Sequence, residues 1–327
     1  MINIYLKPDE RLVSDVDETK LKQIERDALL WVEVNMPSER DRRLIKEVVD
    51  VDLLTREEAQ EIESTSKYSE TESGVVANLN FIEPENTGFR VEPLSFVITN
   101  DGTLVSVRHA NCDLFQETTR RLAIDRTPGL HGSDIFLTLV EAHVDREADM
   151  MEMVAGKITG LSKQISGSES IGKDTIKLIS SLQEQIITLR ENIFDLQRVL
   201  FSIQRSSRFK DTIRPRLELI LKDIDSLINH ADFSFQRLDS LQDTALGLIN
   251  IEQNEIVKIL SVAAVVFMPP TLVASIYGMN FKYMPELEWE IQLSNGILLP
   301  MGYIFAIFLM LCFAFLTVWY FKYKKWL

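Results

Sequence analysis

The residues best suited to cation chemistry lie in one short segment near the end of the chain. Residues 277–289 read YGMNFKYMPELEW and contain the amide of Asn280. Three carboxylates follow that amide: Glu286, Glu288 and Glu290. Amide and carboxylate oxygens suit hard cations, and Mg²⁺ usually keeps several of its waters when a protein binds it. Because Gly278 also lets the backbone turn here, the segment is a candidate site for a hydrated divalent cation.

Two long uncharged runs flank this segment. Ile259–Tyr277 contains 19 residues without a charge, and Gly296–Phe321 contains 26. A helix that crosses a bilayer needs about 20 apolar residues, so both runs predict transmembrane helices. A pair of buried core helices in a soluble domain is the alternative. The predicted spans are residues 256–278 and 296–321, joined by a loop at 279–295.

Lysines predict the orientation of these spans. Lys258 precedes the first span, the tail 322–327 contains three lysines, and the loop contains only Lys282. Positive residues favour the cytoplasmic side, so both termini are expected in the cytoplasm and the YGMN segment outside. The N-terminus lacks the layout of a signal peptide. The chain is therefore expected to be a multi-pass protein of the plasma (bacterial inner) membrane.

The composition of the remaining chain excludes several classes of function. The net charge of −14 over 327 residues arises within the first 250 residues, and so acidic a body argues against nucleic acid as a partner. It is compatible with cation binding, although a solvated acidic surface explains most carboxylates equally well. The two cysteines and four histidines form no zinc or disulfide pattern. With no P-loop and no nucleophile–base pattern, the sequence predicts no enzyme.

Periodicity predicts an α+β domain over residues 1–130 and long helices over residues 131–255. Residues 31–36 alternate like a strand, two strands flank the turn Asn100-Asp101-Gly102, and residues 55–65 resemble a helix. Eight apolar residues then follow a heptad seam, typical of a helix packed lengthwise on others. They are Ile179, Leu182, Ile186, Leu189, Ile193, Leu196, Leu200 and Ile203. A third helix is expected to run from about Pro215 into the first span.

The first span has a stripe of mostly small or weakly polar residues. Its main members are Asn254, Leu260, Ala264, Met268 and Thr271. Helix packing in lipid uses similar residues, so packing and pore lining both remain open. Pro269 and Pro270 remove two amide donors, which favours a helix that lines water. Two spans cannot enclose a pore, so conduction requires a ring of subunits.

These segments resemble a known family. Residues 277–280 (YGMN) followed by 284–287 (MPEL) resemble the signature of the CorA divalent-cation channels, as do residues 252–254, 268–271 and 324–327. The resemblance extends over the whole chain. It implies a homopentameric funnel, with an α+β cytoplasmic domain, a coiled-coil-like stalk and two C-terminal transmembrane helices.

The resemblance also implies functional roles. Gly278, Met279 and Asn280 would form the selectivity mouth for Mg²⁺, with Co²⁺ and Ni²⁺ as secondary ions. The stripe would line the pore, with Leu260 and Met268 as its gate. Glu61 and Asp223 are the nearest counterparts of the carboxylates that bind regulatory Mg²⁺ between subunits. Two alternatives remain: a zinc transporter of the same fold, and a membrane-anchored coiled-coil scaffold that conducts nothing.

Overall fold

A computed structural model describes most of the chain and divides it into two compact units. The described residues are 2–7, 11–13, 21–61, 66–85, 88–110, 112–124, 130–167, 171–209, 211–280, 282–286, 289–292 and 298–324. The first unit is Met1–Asp243 and the second is Thr244–Leu327. The first contains a large sheet and long helices, whereas the second contains the two uncharged runs.

The first unit is built on a seven-stranded sheet with strand order β2-β1-β3-β7-β6-β5-β4. Its strands are β1 (Ile2–Leu6), β2 (Arg11–Val13), β3 (Leu29–Asn35), β4 (Tyr68–Glu70), β5 (Gly74–Glu85), β6 (Gly88–Thr99) and β7 (Leu104–Arg108). β3 and β7 are parallel, and the other neighbouring pairs are antiparallel. Parallel neighbours require a long connection, which here contains β4, β5, β6 and two short helices.

Helices cover both faces of this sheet. On one face, α1 (Glu39–Val49) buries Leu44, Ile45 and Val49 in a cluster with valines of β3 and β7. On the other face, aromatic rings of the sheet contact Phe115 of α3 (Asp113–Ile124) and Phe136 of α4 (Gly132–Gly167). Because side chains alternate between faces along a strand, β3 supplies valines to the first core and Trp31 to the second.

The predicted strands and turn of this unit are confirmed. Residues 31–35 lie in β3, and β6 pairs with β7 across Asn100-Asp101-Gly102. Gly102 has φ of +80° and its N–H donates to the Thr99 carbonyl at 2.9 Å. Glycine adopts this conformation at little cost. The helix predicted for residues 55–65 is observed as α2 (Arg56–Gln60), while residues 62–65 lie outside the described part of the chain.

Two long helices follow, and the predicted seam is their contact surface. α4 ends at Gly167 and α5 comprises Lys173–Arg205, so the polar segment between them separates the helices as predicted. All eight seam residues of α5 are at most 2% exposed. Helices of 36 and 33 residues are stabilised mainly by such lengthwise burial.

The predicted third helix is also confirmed. α6 comprises Arg214–Tyr277, 64 residues, and contains Pro269 and Pro270. Pro215 occupies its first turn, where a missing N–H costs nothing. α6 thus continues from the first unit into the uncharged run of the second.

The second uncharged run is only partly helical. α7 comprises Met301–Tyr323, and the residues before it form a small antiparallel ribbon of β8 (Glu290–Gln292) and β9 (Leu298–Pro300). Proline disfavours the helical conformation in the residue that precedes it. Pro300 therefore explains why the helix begins after the start of the apolar run at Gly296.

Candidate functional site

The uncharged parts of α6 and α7 are open surfaces rather than a protein core. In the most apolar window of each helix, 6% and 11% of the residues are buried. Large apolar side chains such as Phe267 (68%), Met268 (67%) and Phe315 (75%) are highly exposed. Soluble proteins rarely expose a continuous apolar surface along a whole helix. The alternative of two buried core helices is therefore wrong, and both helices are long and apolar enough to cross a membrane.

The two sides of α6 differ in this region. Val273 is 7% exposed, and the partly covered residues lie on the same side of the helix as Val273. They are Val262, Val266, Pro269, Pro270 and Tyr277. At about 100° per residue, Ala264 and Met268 lie on the opposite side. The stripe therefore faces away from the side that the chain itself covers.

Each predicted member of the stripe is exposed. Leu260 is 65% exposed and Met268 is 67% exposed, and Asn254, Ala264 and Thr271 are exposed as well. The Thr271 hydroxyl donates to the Phe267 carbonyl at 2.7 Å. Because this bond uses the hydroxyl proton, the lone pairs of Thr271 remain for accepting hydrogen bonds from water. Such an oxygen suits the shell of a hydrated cation, whose water hydrogens point outward.

The YGMN segment ends α6. The Gly278 N–H donates to the Ala274 carbonyl at 2.9 Å, and the Met279 N–H donates to the Ile276 carbonyl at 3.2 Å. A Cβ added at Gly278 would approach the Ala274 oxygen to 3.1 Å, so glycine suits this tight final turn. Asn280 follows directly and is exposed. The helix end thus places an amide side chain just beyond the stripe.

The described loop carboxylates are both exposed but lie in different local structures. Glu286 is exposed in a turn, and Glu290 is exposed in β8 opposite Pro300. Glu288 lies outside the described residues. Within the described part of the loop, Glu286 and Glu290 form no ion pair. The ribbon was not predicted from sequence. Its one signal was Pro300, which disfavours helix just before it.

Comparison with known proteins places the chain in a family. The pattern of the family described as CorA-like Mg²⁺ transporter protein matches residues 26–324. The chain is 30% identical over 332 residues to the magnesium transport protein CorA of Wolinella succinogenes, and 34% identical over 332 residues to that of Pasteurella multocida, with all chains fully covered. This chain belongs to the CorA-like Mg²⁺ transporter family.

The solved structures agree with this membership at the level of the fold. The complete CorA magnesium transporter from Methanocaldococcus jannaschii matches with a TM-score of 0.79 and 16% identity, over 100% of this chain and 98% of that chain. This match confirms the predicted α+β domain, long helices and two C-terminal apolar helices. Members of the CorA-like family are ion transporters, so the chain is not an enzyme.

The predicted regulatory residues, Glu61 and Asp223, belong to the first unit. Glu61 follows α2 and is exposed, whereas the backbone N–H of Thr55 holds the pKa of Glu58 below its usual value by bonding that carboxylate. Asp223 on α6 is exposed, whereas the Asp225 carboxylate accepts a hydrogen bond from Gln197 at 2.5 Å. The carboxylates of Glu61 and Asp223 are therefore more available to a ligand than those of Glu58 and Asp225.

A single chain does not assemble a metal site from these residues. Among the described residues, no hydrogen bond or ion pair joins Glu61 to Asp223. No group of three or more histidine, cysteine or acidic side chains is placed to hold a metal ion within the described ranges.

Proposed function

We propose that the chain is one subunit of a passive uptake channel for hydrated Mg²⁺ in the bacterial inner membrane, with both termini in the cytoplasm. The observation that carries this proposal is the open stripe of α6. Its weakly polar side faces away from the side that the chain covers, while Val273 lies on the covered side. A simple membrane anchor has no need for such a division.

The open stripe requires other copies of the chain. Two spans cannot enclose a pore, so several α6 helices must surround a common axis. The family resemblance implies five. In such a ring, the exposed stripes of all copies face the axis, and the covered sides face outward. Leu260 and Met268 then form apolar constrictions that close by excluding water.

The mouth selects the ion through its water shell. A ring of Asn280 amides offers carbonyl oxygens that accept hydrogen bonds from the waters of Mg²⁺, an ion that dehydrates reluctantly. The Thr271 oxygens form a second ring of acceptors inside the pore. Glu286 and Glu290 raise the local cation concentration, an effect screened by salt. Co²⁺ and Ni²⁺ fit the same mechanism as secondary ions.

The driving force needs no ATP. A divalent cation that crosses about 100 mV of negative-inside potential gains roughly 4.6 kcal/mol, twice the value for a single charge. No charged residue lies in either uncharged run, so no intramembrane carboxylate is present to couple transport to protons.

Cytoplasmic Mg²⁺ closes the channel by binding between subunits. Glu61 and Asp223, both exposed, would supply its carboxylate ligands from neighbouring copies. When internal Mg²⁺ falls, the vacated carboxylates repel one another and the subunits separate. α6 is continuous from Arg214 to Tyr277, so it connects Asp223 to Leu260 and Met268 without a break.

Ion flux into liposomes tests this function. Purified protein is reconstituted with external Mg²⁺ and a negative-inside potential, and influx is followed with a trapped Mg²⁺ indicator. We expect influx in the unchanged protein and a loss of at least about tenfold for Asn280→Ala, since each subunit loses one mouth acceptor. Gln292→Ala removes a loop amide outside YGMN and should retain flux. Absence of influx with chelator inside would reject the Mg²⁺ channel.

Two further arms separate the finer proposals. Replacing both Glu61 and Asp223 with lysine should abolish closure by internal Mg²⁺, and unchanged closure would reject this site assignment. Substituting external Zn²⁺ for Mg²⁺ tests the zinc alternative, which predicts faster Zn²⁺ flux. A silent Asn280→Ala in a protein without any flux would favour the non-conducting scaffold.

A further inference from the structure

The cytoplasmic end of α7 combines basic and aromatic side chains on an exposed surface. This basic–aromatic end comprises Trp319, Tyr320, Lys322, Tyr323 and Lys324. Trp319 is 58% exposed, Tyr320 is 54% exposed and Tyr323 is 75% exposed. The rings of Trp319 and Tyr323 stack, with centroids 6.0 Å apart and planes 25° apart. None of these residues has a role in the proposed ion pathway.

The lysines of this end lack a counter-charge in their surroundings. From Ile291 to the end of the sequence there is no aspartate or glutamate. Within the part of the chain that the structure describes, neither Lys322 nor Lys324 forms an ion pair. A lysine at a helix C-terminus interacts favourably with the helix dipole, which accounts for one positive charge. The remaining positive charge is exposed and can interact with an external anion.

The exposed side of this end faces away from the covered side of α7. Phe321 is 8% exposed and Ala306 is 7% exposed, and they mark the side that the chain covers. At about 100° per residue, Trp319, Lys322 and Tyr323 lie on the other side, whereas Lys324 follows the last residue of α7 and is exposed there. That other side of α7 is open to contact with lipid.

The position along α7 matches a lipid headgroup. α7 has 23 residues, about 35 Å at 1.5 Å per residue, and the basic–aromatic end occupies its last turn and a half. Tryptophan and tyrosine rings favour the headgroup region, and lysine extends its ammonium group towards phosphates. The loop at the other end contains acidic residues and only Lys282, so it offers no comparable attraction for an anion.

We propose that the basic–aromatic end of α7 binds the phosphate headgroup of an anionic phospholipid in the cytoplasmic leaflet. Lys322 and Lys324 pair with the headgroup, and the stacked rings of Trp319 and Tyr323 lie beside its glycerol and upper acyl chains. The leaflet assignment rests on the proposed orientation, whereas the preference for anionic lipid depends only on the residues.

Quenching of Trp319 fluorescence by brominated lipids tests the proposal. The variant Trp289→Phe/Trp326→Phe leaves Trp319 as the lipid-accessible tryptophan, because Trp31 is 0% exposed. In liposomes at low salt, we expect brominated phosphatidylglycerol to quench Trp319 at least about threefold more effectively than brominated phosphatidylcholine, since each lysine near an anionic surface adds up to about fivefold in affinity. Lys322→Gln/Lys324→Gln should bring this ratio close to one, while Lys282→Gln should leave it unchanged.

Salt supplies a test that needs no lysine substitution. At 1 M salt, where the screening length is about 3 Å, the preference for the anionic lipid should largely disappear. Equal quenching by the two lipids at low salt, or a preference that persists without both lysines, would overturn the proposal. Mg²⁺ flux in the same liposomes keeps the two proposals separate, because lipid preference does not require conduction. Inorganic phosphate added to phosphatidylcholine liposomes should leave quenching unchanged.

Discussion

α5 and the uncharged part of α6 have similar helical spacing but opposite environments. The apolar seam of α5 is at most 2% exposed at all eight positions. From Leu260 onward, the stripe of α6 also advances in steps of three or four residues, yet Leu260 and Met268 are about two-thirds exposed, at 65% and 67%. The first helix finds its packing partners within the chain, whereas the second leaves its stripe without one.

This difference teaches that helical periodicity identifies a contact face but not the partner. A seam of isoleucine and leucine is satisfied by apolar neighbours, because burial alone stabilises it. A stripe of Asn254, Ala264 and Thr271 offers little apolar area to bury. The polar oxygens of the stripe can form hydrogen bonds, and its small side chains let another backbone come close. The stripe therefore suits contact with water or with another helix. Residues that stabilise the single chain and residues proposed to act between chains thus lie in different helices, α5 and the uncharged part of α6.

The largest expected effect comes from truncating one member of each face. Leu189→Ala in the seam should lower the free energy of unfolding by about 2–5 kcal/mol, because it removes buried methyl groups and leaves a cavity. Met268→Ala, a similar truncation in the stripe, should change stability little. Unfolding of the full-length protein in detergent, followed by Trp31 fluorescence, measures both.

Flux completes this comparison. Met268→Ala should widen an apolar constriction and raise Mg²⁺ leak under closing conditions, whereas Leu189→Ala should leave the residual flux of folded protein regulated as before. If Met268→Ala destabilises the protein as much as Leu189→Ala does, the stripe is a packing face and the proposed pathway is wrong.

A smaller effect is expected from a polar contact inside the α4–α5 interface. Asn192 Nδ2 donates to Glu147 Oε1 at 2.5 Å, and His143, stacked on Phe81, lies 3.4 Å from the same oxygen. His143 and Glu147 are at most 1% exposed. Asn192→Leu should cost about 1–3 kcal/mol or somewhat more, because it leaves a buried carboxyl oxygen with fewer donors.

Two controls sharpen this second prediction. Adding Glu147→Leu to Asn192→Leu should recover part of the loss, because the unsatisfied group is removed. Breaking the exposed Arg190–Asp232 pair (2.8 Å) with Asp232→Asn should cost less than about 1 kcal/mol. Equal losses for Asn192→Leu and Asp232→Asn in chemical denaturation would contradict the assigned importance of burial.

The sequence was sufficient for features that depend on local pattern. The seam, the turn at Asn100–Gly102 and the long uncharged helices each repeat one chemical rule over neighbouring residues. The parallel pairing of β3 with β7 joins distant segments, and no local pattern specifies it. The sequence also did not predict which side of α6 the chain covers. Val273 and Val265 are the same residue type, yet Val273 is 7% exposed and Val265 is 42% exposed.

The candidate site followed the same division. Asn280, the loop glutamates and the stripe were selected from residue type and spacing, and the structure leaves Asn280, Glu286, Glu290 and the stripe exposed. The proposed regulatory role of Glu61 and Asp223 would depend on contacts between copies, which a single chain does not contain. The β8–β9 ribbon was missed because its strands have three residues each, too short for a periodic signal.

The smallest expected effect concerns pH in the packed unit. Burial, with the neighbouring Glu83 carboxylate at 3.0 Å, raises the pKa of the Cys112 thiol to about 12. Since the folded-state pKa of Cys112 lies above the ordinary thiol value of 9.0, the folded chain retains a proton that the unfolded chain loses. Stability from this group is complete below pH 9 and falls as the pH rises towards 12. At about pH 10 the loss should be roughly 1 kcal/mol.

Cys112→Ala provides the measurement for this effect. Its denaturation midpoint should decline less between pH 8 and pH 10 than that of the unchanged protein, although its stability at pH 8 is lower because a buried thiol is lost. Iodoacetamide should also label Cys112 slowly at pH 8, since the thiolate is the reactive form. Rapid labelling of the folded protein would mean that β5 and α3 do not bury this thiol. The first unit would then be less tightly packed at Cys112 than its burial in the structure indicates, and the contrast between a packed first unit and the exposed α6 and α7 would weaken.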